Sequence, residues 1–130
     1  MTRITVFGLL WLVTSQMAMA QTNASELESL QGNWGAKFAD ARGTPRQGVL
    51  KISGSAGTWE ELYAPSRDLC ATKEVPIEIV DAQVGAFTLI VYRSKLLRGC
   101  EDVTIQMRRT PNLQYSGTLP GDRIFVITRR

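Results

Sequence analysis

The sequence predicts an all-β fold: a small antiparallel eight-stranded up-and-down barrel preceded by a short N-terminal helical turn. Three observations predict it. Short runs alternate apolar and polar residues at period two, the period of a strand with one buried face. Turn signals recur about every ten residues, the spacing of a sandwich or barrel. No connection is long enough for a parallel crossover, which leaves an antiparallel meander. Eight is also the strand number that closes a barrel whose side chains just fill it, and closure removes exposed sheet edges.

The elements follow in order. Arg3, the apolar run 4–13 and the small-x-small triplet Ala18-Met19-Ala20 read as a signal peptide over residues 1–20, cleaved before Gln21. The run is about half of what a spanning helix needs, and no cysteine follows the site to carry a lipid. The expectation is one domain over residues 21–130, with no stable membrane anchor after cleavage. Ser25-Glu26-Leu27-Glu28 has the form of a capping box with Ser25 as N-cap, and places Leu27 and Leu30 on one side of a helical turn. Asn23-Ala24-Ser25 also matches a glycosylation sequon.

Strands are then expected from Asn33 (Trp34, Ala36 and Phe38 on one face), over 47–53, 58–63, 74–80, 86–92, 102–109, 113–119 and 123–128. Glycines and prolines punctuate the links, with a four-residue hairpin at 54–57. Pro76 lacks a ladder donor, which signals an edge, a bulge or an irregular pairing in the fourth strand. Residues 86–92 form the most continuously apolar strand.

Composition excludes several functions. The chain has 130 residues and no histidine, which removes Ser-His-Asp and Cys-His catalysis, histidine general bases and the usual zinc and copper sites. Without Arg3 the formal charge is 14 − 12 = +2, too mild and too scattered to imply a nucleic-acid partner. Cys70 and Cys100 are the two cysteines. Export would expose them to an oxidising compartment, so a structural disulfide is expected. The loops carrying them follow the third and fifth strands, and in an up-and-down barrel those loops share one end.

The segment Leu30-Gln31-Gly32-Asn33-Trp34 resembles the Gly-x-Trp start of the calycins, the lipocalin-like superfamily. The resemblance implies a barrel closed at one end by the N-terminal turn. It also implies that Gly32 and Trp34 form the floor, with Arg129 or Arg130 of the last strand over the indole. In length and in its Leu-x-Gly-x-Trp start the chain is also similar to the bacterial periplasmic inhibitors of secreted metalloproteases, whose N-terminal segment enters the protease cleft. Here both cysteines come late, unlike the inhibitor pattern.

Candidate sites follow from this frame. Glu60 and Glu61 are adjacent on a strand and point to opposite faces, so they cannot flank one glycosidic bond. Trp59 and Tyr63 share a face and are candidates to line a cavity, although core filling is the simpler role. Ser25 in the N-terminal segment and Arg93, Lys95 and Arg98 at the rim are the candidate partner-binding residues, with Asp68, Glu101 and Asp102 balancing the charge near the cysteines. No catalytic set, metal-ligand cluster or phosphate loop is present in the sequence, and no cofactor is expected. The large apolar residues Trp34, Phe38, Trp59, Phe87, Met107, Tyr115 and Phe125 are expected to fill the barrel. The function expected is therefore that of a periplasmic or secreted binding module, not an enzyme, that engages a protein (a protease among the options) through its rim or N-terminal segment. A carrier of a small apolar ligand is the alternative, and it requires a cavity of about 300 Å³ or more.

Overall fold

Eight strands close on themselves in chain order: β1 (Gly32–Ala39), β2 (Pro45–Ser53), β3 (Ala56–Leu62), β4 (Val75–Gln83), β5 (Ala86–Val91), β6 (Val103–Arg109), β7 (Tyr115–Leu119) and β8 (Arg123–Arg129). The structure is a computed structural model and describes residues 22–71 and 73–130; the expected signal peptide lies outside the described residues. Every pairing is antiparallel, and β8 returns to pair with β1 from Trp34↔Arg129 to Phe38↔Phe125. This is the up-and-down barrel that the sequence predicts. Alternate residues point inward as the strand period requires. In β4, Val75, Ile77, Ile79 and Ala82 are buried; in β5, Phe87, Leu89 and Val91; in β8, Phe125 and Ile127.

The ladder is uneven. Six rungs join β5 to β6, but only Arg108↔Ser116 and Arg109↔Tyr115 join β6 to β7. Four rungs join β3 to β4, ending at Trp59↔Val75. The Pro76 carbonyl accepts from the Tyr92 amide just beyond the end of β5. The proline's missing donor therefore falls where that pairing ends, which is the irregularity its sequence signals. A register shift between Val80 and Gln83 marks a bulge, and carries β4 further than residue 80.

Several local expectations are corrected. The helix α1 (Ala24–Ser29) is capped by Asn23, whose side chain accepts from the Glu26 amide at 3.1 Å, and not by Ser25. The Asn23 amide donates to the Ala82 carbonyl at 2.6 Å. That bond fixes the helix start two residues earlier and turns Glu26 into the barrel. The link between β2 and β3 is tighter than four residues, with Gly54 at φ 65°. Leu113 lies in the turn before β7, at φ 60° and 73% exposed. Tyr63 follows β3 at φ 58° and is 93% exposed, so it does not share the inward face of Trp59.

One end of the barrel is closed. Trp34 is buried, and its indole donates to the Leu30 carbonyl at 2.8 Å. The Arg129 guanidinium lies 4.2 Å from the Trp34 ring and donates to the carbonyls of Gln31 and Ser29. Gly32 sits at φ 107°, a backbone region where side chains are strained, and the Arg129 guanidinium lies 3.3 Å from where a Cβ would stand. Arg129 therefore fills the floor role. Arg130 is exposed, and its stem runs 3.4 Å from where a Cβ at Gly35 would stand. Leu30, fully buried, and Leu27 close this end further. Glu26, only 6% exposed, accepts the Tyr115 hydroxyl at 2.6 Å. A buried carboxylate in an apolar core needs such a donor.

Candidate functional site

The opposite end is open. The connections after β1, β3, β5 and β7 rim it, as strand alternation dictates. The disulfide Cys70–Cys100 ties the second of these to the third with a Cα–Cα distance of 5.6 Å. Both cysteines therefore lie at one end, as the strand count implies, and the bond joins two loops that are otherwise held by their own short-range turns, among them a 3-10 turn at Arg93–Lys95.

Below the rim the interior is not full. A cavity of about 390 Å³ opens between the rim loops and the midsection. The large side chains expected to fill the barrel do so only in its lower half. The cavity base is aromatic: Phe38, Trp59 and Phe125 meet pairwise with ring centroids 5.6 to 5.8 Å apart. Gly48 on β2 makes this packing possible. A Cβ there would stand 2.0 Å from the Trp59 ring, so the indole lies flat against bare backbone. Val91, Ile105 and Leu119 add apolar wall.

Charge sits above this base. Arg46 on β2 points inward and holds Asp40 through both its Nε and Nη2, at 3.2 and 3.0 Å. Glu61 on β3 faces the same space, its side chain 12% exposed, with the Arg46 Nε 3.7 Å from Oε1. Burial pushes the Glu61 carboxyl up from its ordinary value, opposed by Arg46 and reinforced by Asp68. Asp40 goes the other way: the Thr44 amide, more than any other group, holds its carboxyl below the usual value. Arg123 clamps the β7–β8 turn, donating to the carbonyls of Ala39 and Pro120 at 2.7 and 3.0 Å.

The candidate rim residues separate on this geometry. Arg93 lines the cavity and donates to the Cys70 carbonyl at 3.3 Å. Lys95 is exposed and lies 4.7 Å from the Tyr92 ring. Arg98 is exposed in the loop before Cys100. Ser25 is at the closed end, so it forms no common site with the other three. Asp68, Glu101 and Asp102 all border the cavity. The Asp68 carboxylate accepts the Cys70 amide at 3.2 Å. The Asp102 carboxylate accepts the Ser94 amide at 2.9 Å, and that bond lowers its pKa. Glu61 and Arg46 are cavity residues that the sequence did not single out as a pair. The signal was there: the parity that faces Trp59 inward faces Glu61 inward as well.

Further hollows on the outer wall, over Gly35 and Arg130 and over Gln106 and Gly117, have no comparable aromatic base. Among the described residues no group of three or more His, Cys, Asp or Glu side chains is placed to hold a metal ion, and no helix is long and apolar enough to cross a membrane. The fold and site together define a closed eight-stranded antiparallel barrel, plugged at one end and hollow at the other. No family model, curated protein or solved structure matches the chain.

Proposed function

We propose that the chain is an exported, non-enzymatic binding protein that takes a small molecule into the open mouth of its barrel. The observation that carries this reading is the cavity of about 390 Å³ above an aromatic base. The outer-wall hollows, at about 370 and 510 Å³, are of similar size, so what supports the carrier reading over a solid barrel acting through its surface is the aromatic base at the open mouth, in a space within the range of ligand pockets. Export is supported by the leader pattern of residues 1–20 and by the disulfide at the mouth. The Gly32-x-Trp34 floor under Arg129 supports kinship with the calycins. The absence of histidine supports a role without catalysis.

The test is titration with N-phenyl-1-naphthylamine, a neutral fluorophore that brightens on leaving water. The expected result is saturable enhancement at one equivalent, abolished by Val103→Trp, which narrows the mouth while circular dichroism stays that of the barrel. Enhancement that survives Val103→Trp would place the dye elsewhere and defeat the reading.

A second reading has its own observation. Tyr63, Leu69 and Leu97 are 93%, 59% and 44% exposed on the two rim loops that the disulfide joins. This is an apolar edge suited to a protein partner, including an inhibited protease. Retention of a partner from culture fluid by the wild type, and its loss in Tyr63→Ser/Leu69→Ser, would favour that reading.

A further inference from the structure

Resting on the small-molecule reading, we infer that the mouth selects an organic cation: a small amine with an apolar body, its body on the Phe38–Trp59–Phe125 base and its ammonium group against Glu61.

The charges that face the cavity decide its sign. Five carboxylates border it, Asp40, Glu61, Asp68, Glu101 and Asp102, against three guanidinium groups, Arg46, Arg93 and Arg123. Each guanidinium is already engaged by the protein: Arg46 donates through Nε and Nη2 to Asp40, Arg93 through Nε alone to the Cys70 carbonyl, and Arg123 through Nη1 and Nε to the carbonyls of Ala39 and Pro120. These bonds take one or two of the five N–H donors of each guanidinium, and an anion entering the mouth would approach an excess of negative charge.

Two of these carboxylates, Glu61 and Glu101, accept no hydrogen bond among the described residues; Glu101 is exposed to water, and Glu61 is the one that burial leaves short. Asp40, Asp68 and Asp102 each accept a backbone amide. Among the described residues Glu61 accepts no hydrogen bond, and the Arg46 Nε at 3.7 Å is beyond hydrogen-bond reach while it donates to Asp40. A charge this poorly solvated gains from a donor brought to it. An ammonium group supplies both the charge and up to three donors. The aromatic base adds to the selection, because ring faces attract cations and not anions.

The experiment compares three probes of one shape by calorimetry with the oxidised protein: 2-phenylethylamine, 2-phenylethanol and 3-phenylpropionate. The amine is expected to bind about tenfold more tightly than the alcohol, and the carboxylate more weakly still. Glu61→Gln, an isosteric change that leaves the base intact, is expected to bring the amine down to the affinity of the alcohol and leave the alcohol unchanged. Equal affinity for amine and alcohol, preference for the carboxylate, or an unchanged amine affinity in Glu61→Gln would overturn the assignment. These results are separable from failure of the underlying reading. A mouth that takes the neutral fluorophore but shows no amine preference retains a ligand site and loses only its sign. A mouth that takes neither loses both.

Discussion

At Gly48 a hydrogen stands where any other residue would place carbon, and the Trp59 ring occupies the vacancy. Gly57, at the start of β3, is tighter in a different way: its added Cβ would stand 1.9 Å from the Lys51 backbone carbonyl. A ring can swing into the mouth, but a backbone cannot. Gly48→Ala is therefore expected to cost about 1–3 kcal/mol, the usual range for overpacking, and to abolish fluorophore binding. Gly57→Ala is expected to cost more. Urea unfolding of both variants checks the order, and a smaller loss for Gly57→Ala would contradict it.

Glu61 gives a pH prediction at the same scale. Its folded pKa is raised, so the native state disfavours its ionised form relative to the unfolded chain. Stability tied to this group is fully present below the ordinary glutamate value near 4.3, and is lost as pH rises through the higher folded value. Glu61→Gln should raise the thermal midpoint at pH 7, with the gain shrinking as pH falls toward about 4. A gain that does not depend on pH would mean that Glu61 acts through packing alone.

At the scale of elements, α1 is a plug held by specific bonds. Tyr115→Phe leaves the buried Glu26 carboxylate without its hydroxyl donor, and should cost about 1–3 kcal/mol. Hydrogen exchange should accelerate in residues 24–30 more than in the β5–β6 ladder; uniform acceleration would show that the plug and barrel open together. The helix also marks the limit of reading elements from sequence. Ser25 and Glu28 have the spacing of a capping box, but Asn23 wins because its amide reaches Ala82 on β4. That partner is nearly sixty positions away and invisible to a local pattern. Leu113 and Tyr63 continue their strands by hydrophobicity, yet positive φ turns them out of the sheet. The alternation of Val75, Ile77 and Ile79, by contrast, is a property of the strand itself, and the expected strand stands.

At the scale of the whole molecule, strand count, closure and the pairing of Cys70 with Cys100 were legible together. Topology puts alternate loops at one end, whatever the side chains do. The cavity was not legible. Counting large residues gave enough volume to fill the interior, but not their distribution along its axis: Trp34, Met107 and Tyr115 crowd the floor, and the ring of Trp59 lies flat on Gly48. The disulfide closes a loop of 30 positions. Replacing both cysteines by serine should lower stability by about 3–4 kcal/mol in the chain-entropy view, and free the rim loops, so that amine binding weakens even below the melting transition. Calorimetry on the oxidised and double-serine proteins checks both effects, and an unchanged midpoint would mean that the loops hold each other without the bond.

The seam between β1 and β8 governs when this protein can exist. The hydrogen bond from Arg129 to the Gln31 carbonyl spans 98 positions, so the first strand waits for nearly the whole chain before its outer edge is covered. Consecutive strands can pair as they come, but the seam cannot close until the last one is present, and all-β barrels fold in roughly milliseconds to seconds. Chains stopped at Pro120, before β8, should stay open to protease, while the full chain resists it.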